Sequence, residues 1–220
     1  MEHNMKIAIL GGTGKEGMGI GYRWAKAGHE ITIGSRQESK ALEAAAKLEE
    51  LLGNKIKIQG KENLEAAKDA ELLVLTVPYS AHKAMCEYIK EVSQGKIVID
   101  VTVPLVPPKV TKVQMPPAGS ATLEAKAILR ENTSVVAAFQ NISYEHLLED
   151  GEVNCDVLVT GDSKASREFV IKLIQEGGLV GIDAGPIENS VVVEGLTSIL
   201  IGINKQFGIH DSGIKITGIS

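Results

Sequence analysis

Short apolar runs rich in β-branched residues alternate with helix-like stretches along almost the whole of this 220-residue chain. The eight runs that read as strands cover residues 6–10, 30–34, 55–59, 71–77, 96–102, 134–139, 156–161 and 179–185. Several of them are apolar on both faces, which is typical of parallel strands buried between two layers of helices. The alternation therefore predicts an α/β fold with a doubly wound, mostly parallel sheet and right-handed crossovers.

The helix-like stretches cover residues 17–27, 38–52, 63–68, 80–92, 120–130, 163–176 and 190–206. One strong interruption, residues 103–120, holds five of the seven prolines and cannot propagate a helix. We interpret it as the seam between the first half of the chain and the rest. The expected division is a larger domain at 1–134 and a smaller C-terminal α/β extension at 135–220.

Charge and cysteine usage restrict the possible partners. The net charge of −5 gives no electrostatic reason to expect nucleic acid or an anionic membrane as a partner, and no apolar run is long enough to span a bilayer. Cys86 and Cys155 lack metal-like spacing, and no His or carboxylate cluster suggests a metal site. We expect two buried free thiols in a cytoplasmic protein that binds no metal.

The segment GGTGKEG, residues 11–17 (the glycine loop), directly follows the first predicted strand. Its last six residues, Gly12–Gly17, fit G-x-G-x-x-G between a strand and a helix, the context that the pattern requires. Gly12 permits the tight turn, Gly14 lets the backbone approach a pyrophosphate, and Gly17 lets the helix pack closely. Because the free amides of the helix N-terminus favour phosphate, the loop predicts a Rossmann-type dinucleotide site.

The end of the second predicted strand indicates which dinucleotide is bound. Enzymes that prefer NAD place a carboxylate there for the ribose 2′-hydroxyl, whereas this sequence has Ser35 and Arg36, followed by Lys40. A guanidinium, an ammonium and a hydroxyl suit a 2′-phosphate, so the pattern predicts NADP(H).

The segment TVPYSAHKA, residues 76–84, follows the fourth predicted strand. Loops at the carboxyl ends of parallel strands line the ligand crevice, so Val77, Pro78 and Tyr79 should pass near the nicotinamide half of the dinucleotide. His82 stands in the first turn of the following helix, where a solvated or capping role is the expectation and acid–base catalysis the alternative.

Several segments together resemble a known family: AILGGTGKEGMGIGYRWAKAGHEITIGSR, LTVPYSAH, SVVAAFQNIS, CDVLVTGD, IDAGPIENSVVVEGLTSILIGIN and GIKITG. The chain is similar over essentially its whole length to the NADPH-dependent coenzyme F-420 (F420) reductases, also called F420:NADP oxidoreductases. The glycine loop is common to many families, whereas the IDAGP segment and the terminal GIKI are more specific.

The resemblance implies a dimeric Rossmann-type oxidoreductase that transfers a hydride between NADPH and the 8-hydroxy-5-deazaflavin F420, in either direction. It implies that Thr13, Gly14, Lys15 and Glu16 touch the pyrophosphate and its neighbours, and that Ser35, Arg36 and Lys40 hold the 2′-phosphate. It places Val77, Pro78 and Ser80 along the cofactor, Ile142 near the reacting rings, and Ser212 against the deazaflavin. The division of the chain then becomes an NADP-binding domain at 1–134 and a C-terminal domain that completes the substrate site.

One position departs from the family pattern. The family has a histidine in the loop after the sixth strand, where this sequence has Gln140 followed by Asn141. An amide can donate to a ring carbonyl or nitrogen but cannot take up a proton near neutral pH. Since the two cofactors carry the chemistry, we expect catalysis by positioning, with no catalytic side chain and with both amides touching the substrate.

The helix-like stretch 190–206 is too apolar for a single exposed face, with Val191, Val193, Leu196, Ile199, Leu200 and Ile203. We expect it to serve both the core and a contact between two subunits of a homodimer, with Glu194 and Asn204 as buried polar anchors. Two other functions stay open: an NADP-dependent reductase of another small acceptor (flavin, carbonyl or imine), and a non-enzymatic NADP(H) redox sensor.

Overall fold

The computed structural model describes residues 4–219, which form one eight-stranded sheet flanked by helices. The strands are β1 (Lys6–Leu10), β2 (Glu30–Ser35), β3 (Gln59–Glu62), β4 (Leu72–Leu75), β5 (Ile97–Asp100), β6 (Ser134–Ala137), β7 (Asp156–Gly161) and β8 (Val180–Pro186). The α-helices are α1 (Lys15–Lys26), α2 (Glu38–Leu51), α3 (Asn63–Asp69), α4 (Tyr79–Ile89), α5 (Ala121–Leu129), α6 (Tyr144–Leu148), α7 (Lys164–Glu176) and α8 (Ser190–Phe207).

The strands lie in the order β3-β2-β1-β4-β5-β6-β7-β8. Neighbouring strands are parallel throughout except where β6 meets β7, so β7 and β8 run against the first six. The chain reverses its winding between β1 and β4, and ligands of open α/β sheets bind at such a point, beyond the carboxyl ends of the strands. The predicted Rossmann-type sheet with an α/β extension is confirmed.

The core lies on both faces of the sheet, because the central strands are apolar on both sides. Along β1, Ile7 and Ile9 pack into one apolar layer while Ala8 and Leu10 pack into the other. Burial of this kind contributes about 25 cal/mol per Å² of apolar surface, so the parallel strands are held by both helix layers.

Two elements differ from the sequence prediction. The third strand occupies Gln59–Glu62 rather than 55–59, because its position is set by pairing with β2, in which Thr32 faces Gln59 and Ser35 faces Glu62. The short helix α6 was not predicted. It is only five residues long, and its last carbonyls accept hydrogen bonds from the buried guanidinium of Arg23, a contact that no local pattern indicates.

The proline-rich seam contains no helix or strand between β5 and α5, as predicted. Cys86 and Cys155 are both free and buried, as expected. No helix within residues 4–219 is both long enough and apolar enough to cross a membrane.

Candidate active site

The glycine loop turns sharply between β1 and α1, and its glycines meet different surroundings. A Cβ at Gly12 would lie 2.6 Å from the carbonyl oxygen of Ile9, and one at Gly17 would lie 2.6 Å from the Cα of Gly12. A Cβ at Gly14 would meet nothing within 4 Å. Gly12 and Gly17 are therefore required by packing, whereas Gly14 leaves open space in front of the first turn of α1, where no side chain caps the helix.

Asn63 is buried and forms a hydrogen bond to the glycine loop. This residue was not identified from the sequence. Its side chain is 1% exposed, and its Oδ1 accepts a hydrogen bond of 3.1 Å from the backbone N–H of Gly11. The backbone of Gly34 approaches the same oxygen so closely that a Cβ there would lie 2.7 Å away. Asn63 thus links the ends of β1 and β2 and fixes the shape of the turn.

The predicted 2′-phosphate residues lie together where β2 passes into α2. Ser35 is buried at the end of β2, and its Oγ accepts a hydrogen bond from the N–H of Gln37. The side chains of Arg36 and Lys40 are exposed at the start of α2. Neither cation forms an ion pair with another of residues 4–219, so both are available to an anion.

The segment after β4 lies directly beside the glycine loop. Val77 is buried, and a Cβ at Gly11 would come within 2.5 Å of its Cγ1. Pro78 and Ser80 are exposed at the start of α4. The structure thus brings this segment to the same edge of the sheet as the loop.

His82 is neither solvated nor capping, contrary to the sequence expectation. Its side chain is completely buried, and its Nε2 lies 2.7 Å from Oδ2 of the equally buried Asp100. Burial lowers the pKa of His82, but the charge and hydrogen bond of Asp100 outweigh it and raise that pKa to about 11. The amphipathic position of His82 in α4 gave no sign of a partner on β5, so the ion pair could not be predicted.

A cavity of about 410 Å³ opens beyond the carboxyl ends of β5 and β6. It gathers one residue of the glycine loop and the four predicted substrate residues from distant parts of the chain: Glu16, Gln140, Asn141, Ile142 and Ser212. Further lining residues were not identified from the sequence, among them Val101, Val103, Leu105, Phe139, Tyr144, Thr197, Leu200 and His210. The position of residues 101–105 after a parallel strand was the one available signal for them.

The side-chain nitrogens of Gln140 and Asn141, two residues that line the cavity, donate to backbone carbonyls of the protein. The Nε2 of Gln140 donates to the backbone carbonyl of Asp100 at 2.7 Å, and the Nδ2 of Asn141 donates to that of Val193 at 2.9 Å. Because carbonyl partners fix both orientations, Oε1 of Gln140 and Oδ1 of Asn141 point the other way, buried and without a partner among residues 4–219. One N–H of each amide is thus used within the protein, and contact of these two residues with the substrate stays a prediction.

The side chains of Lys15 and Glu16 take different directions from the first turn of α1. The Nζ of Lys15 donates to the hydroxyl of Tyr144 at 2.8 Å, which raises the pKa of Lys15. Glu16 lines the cavity, and its Oε1 is buried without a hydrogen-bond partner in the described part of the chain. Burial raises the pKa of Glu16 to about 8.

The C-terminal segment, residues 209–219, reaches the cavity because β7 and α8 hold it. The backbone N–H of Ser212 donates to Oδ1 of Asn204 at 3.1 Å, so Asn204 anchors this segment. The nearly buried carboxylate of Asp156 accepts hydrogen bonds from Lys215 and from the N–H of Ile216. These contacts place Ser212 and His210 on the cavity wall.

A glycine loop at the point where the sheet reverses its winding, with free cations beyond β2 and a deep cavity beside it, defines a dinucleotide-binding oxidoreductase. Comparisons with known proteins agree with this class. The family model described as NADP oxidoreductase, coenzyme F420-dependent, matches residues 6–104.

Two curated relatives match nearly the whole chain. The F420-dependent NADP reductase of Methanocaldococcus jannaschii is 40% identical over 98% of this chain and 99% of its own length. That of Methanothermobacter marburgensis is 39% identical over 98% and 99%. A crystal structure from Arthrobacter sp. FB24, provisionally described as an F420-dependent NADP reductase, superposes with a TM-score of 0.81 at 26% identity, covering 97% of this chain and 100% of that one. The chain belongs to the F420-dependent NADP reductase family.

Proposed function

We propose that this protein transfers a hydride between NADPH and the deazaflavin F420, in either direction. The observation that carries the proposal is the cavity itself, which joins the glycine loop at Glu16 to Gln140, Asn141, Ile142 and Ser212. A dinucleotide on the loop and a flat ring in the cavity would meet at the carboxyl edge of the sheet. The names of the full-length relatives support the same pair of reactants.

The residues at the glycine loop fit NADP(H). The open space at Gly14 would admit a pyrophosphate to the free amides of α1. Thr13, Lys15 and Glu16 would touch the pyrophosphate and its neighbours. Ser35, Arg36 and Lys40 would hold the 2′-phosphate. Val77, Pro78 and Ser80 would lie along the nicotinamide half. The bound dinucleotide supplies the hydride, and the protein orients it.

The cavity residues fit the other ring. Ile142 is 6% exposed and would pack against a ring face, while Ser212 would contact the deazaflavin from the C-terminal segment. Val101, Val103 and Phe139 line the same cavity and would exclude water from the contact between the two rings. Closing out water and holding the reacting carbons together is the protein's main contribution to the rate, so no dedicated catalytic side chain is needed for the hydride itself.

A direct assay tests this function. Purified protein, NADPH and oxidised F420 are mixed, and the visible absorption band of the deazaflavin is followed. Bleaching of that band with matching oxidation of NADPH is the expected result. If the protein oxidises NADPH with a flavin, a carbonyl or an imine but does not bleach F420, the acceptor is that other compound. If the protein binds NADPH but oxidises it with none of these acceptors, it is a redox sensor.

The 2′-phosphate site is tested by Arg36→Ala combined with Lys40→Ala. Losing two charge-assisted contacts should weaken NADPH binding by about 2 to 4 kcal/mol, measured by fluorescence titration. NADH lacks the 2′-phosphate and serves as the internal control, and its affinity should change little. An equal loss of affinity for NADPH and NADH would show that Arg36 and Lys40 do not bind the 2′-phosphate.

We further propose that residues 1–134 act as the NADP-binding domain and that residues 135–220 complete the substrate site.

We propose a homodimer built on the outer face of α8, where Val192, Ile199 and Phe207 are 65%, 50% and 68% exposed. Two free, buried thiols support a reducing, cytoplasmic setting.

A further inference from the structure

The polar groups of the cavity wall are mostly committed to the protein itself. Both side-chain amides use their N–H groups on backbone carbonyls. The hydroxyl of Thr197 donates to the carbonyl of Gln140 at 2.8 Å, and that of Ser212 donates to the carbonyl of Leu200. The hydroxyl of Tyr144 donates to Glu145. Each of the two amides therefore has an N–H group that a ligand cannot use.

The reaction proposed above also needs a group that can give up a proton. When a hydride reaches C5 of a deazaflavin, electron density moves to the pyrimidine side of the ring, and a ring nitrogen takes up a proton to give the neutral reduced form. Carbonyl oxygens repel the developing negative charge, and a hydrogen-bond donor or an acid stabilises it. The cavity therefore needs an acid that Gln140 and Asn141 do not provide.

Glu16 is placed to be that acid. It stands in the first turn of α1 and lines the cavity, and its Oε1 is buried without a partner among residues 4–219. Burial raises its pKa to about 8, so the group carries a proton at neutral pH. A neutral carboxyl group also avoids repelling the phosphates expected at the adjacent helix N-terminus.

We propose that Glu16 is a catalytic acid–base residue of the reaction, a role that rests on the hydride transfer proposed above. As the C–H bond of the dihydronicotinamide breaks and the C–H bond at C5 of the deazaflavin forms, the carboxyl group of Glu16 gives its proton to the ring nitrogen. The hydride carries both electrons. Glu16 recovers a proton from solvent after the product leaves, and in the reverse direction its carboxylate accepts that proton.

Other charged groups near Glu16 define the controls. Tyr144 of α6 and His210 of the C-terminal segment are the other titratable side chains that line the cavity within the described residues. Lys15 is next to Glu16 on α1, and its ammonium group donates a hydrogen bond to the hydroxyl of Tyr144. That hydroxyl in turn donates to the carboxylate of Glu145. His210→Gln is the matched control, because it removes a titratable group from the same wall and leaves Glu16 in place.

The kinetic test compares Glu16→Gln with the wild type across pH 6 to 9.5. In the wild type, kcat/KM for F420 reduction should fall as the pH rises through about 8, because kcat/KM reports the pKa of the free enzyme. In Glu16→Gln, kcat/KM should be lower by about 100-fold or more and flat over the same range. His210→Gln should keep the alkaline fall. If Glu16→Gln keeps both the rate and the pH profile of the wild type, the proposal is overturned.

A second measurement needs no substrate. Because the pKa of Glu16 is raised on folding from its ordinary 4.5, the unfolded chain binds fewer protons between about pH 4.5 and 8. The wild type should lose stability relative to Glu16→Gln over that window, and the difference should be constant above it, as measured by urea unfolding. A pH-independent difference would contradict a protonated Glu16. This result holds whether or not F420 is the acceptor, whereas failure of the wild type to reduce F420 overturns the proposed function.

Discussion

At the scale of single residues, the ion pair of His82 and Asp100 lies next to Gln140, one of the residues that line the cavity. Both side chains are completely buried. The backbone carbonyl of Asp100 accepts a hydrogen bond from the side-chain amide of Gln140. The carboxylate of Asp100 also accepts a hydrogen bond of 3.0 Å from the backbone N–H of Thr102. The pair therefore connects α4 to the ends of β5 and β6, and it orients an amide that faces the substrate site.

Breaking this pair should be costly. His82→Gln leaves the carboxylate of Asp100 buried without its cation, and removal of one partner of a buried pair costs about 3 to 5 kcal/mol. The free energy of unfolding in urea measures the loss. Lys47→Ala is the control, because it breaks an exposed pair with Glu43 on α2 and should cost less than about 1 kcal/mol. A loss as small as the control's would indicate that the buried pair adds little.

At the scale of elements, two glycines between β1 and α1 have different surroundings and therefore different expected roles, one in folding and one in binding. Gly17 faces protein on all sides that a Cβ would reach, including the Cα of Gly12 and Oγ1 of Thr76. Gly14 faces open space and has an extended backbone that any residue can adopt. The same motif therefore contains one glycine required by the fold and one that we propose is required by the ligand.

Two alanine variants distinguish these roles. Gly17→Ala should destabilise the protein by about 1 to 3 kcal/mol, because its methyl group overpacks the contact between α1 and the loop. Gly14→Ala should keep the unfolding free energy within about 0.5 kcal/mol and weaken NADPH binding, since the methyl group occupies the space for the pyrophosphate. Urea unfolding and nucleotide titration of both variants measure this. Equal effects on both properties in both variants would refute the division.

Also at this scale, α8 holds the start of α5. Glu194 is completely buried, and its oxygens accept hydrogen bonds from the backbone N–H groups of Ala121 and Thr122. The expectation that Glu194 is a buried polar anchor is confirmed. Burial raises its pKa to about 7, while these hydrogen bonds act in the opposite direction. The anchor fixes α8, which then supplies Thr197 and Leu200 to the cavity.

At the scale of the whole molecule, α8 has two faces with different roles. One face is buried against the sheet and the cavity, while Val192 and Ile199 stand exposed one heptad apart on the other. We propose that these exposed apolar residues contact a second copy of the chain, through the two-fold symmetry that most oligomers adopt.

The homodimer is tested by Val192→Glu combined with Ile199→Glu. The wild type should sediment with the mass of two chains and the variant with the mass of one, because four charges would otherwise be buried at the contact. Leu42→Glu, at an exposed apolar position on α2, is the control and should remain dimeric. A monomeric wild type would contradict the proposed interface.

Much of the fold could be predicted because its signals are local. Strand and helix periodicity, the glycine spacing and the proline-rich seam each depend on neighbouring residues, and the structure keeps nearly all of these elements. The errors came from non-local contacts: the position of β3 is set by pairing with β2, and α6 is held by Arg23.

The sequence by itself determined the doubly wound sheet, the glycine loop and the cations beyond the second strand, since periodicity and turn chemistry are properties of short segments. The tertiary structure alone decided which carbonyls the amides of Gln140 and Asn141 donate to, that His82 lies buried on Asp100, and that Glu16 lines the cavity. Hydrogen-bond partners and desolvation depend on groups that are far apart in the chain, and only folding brings those groups into contact.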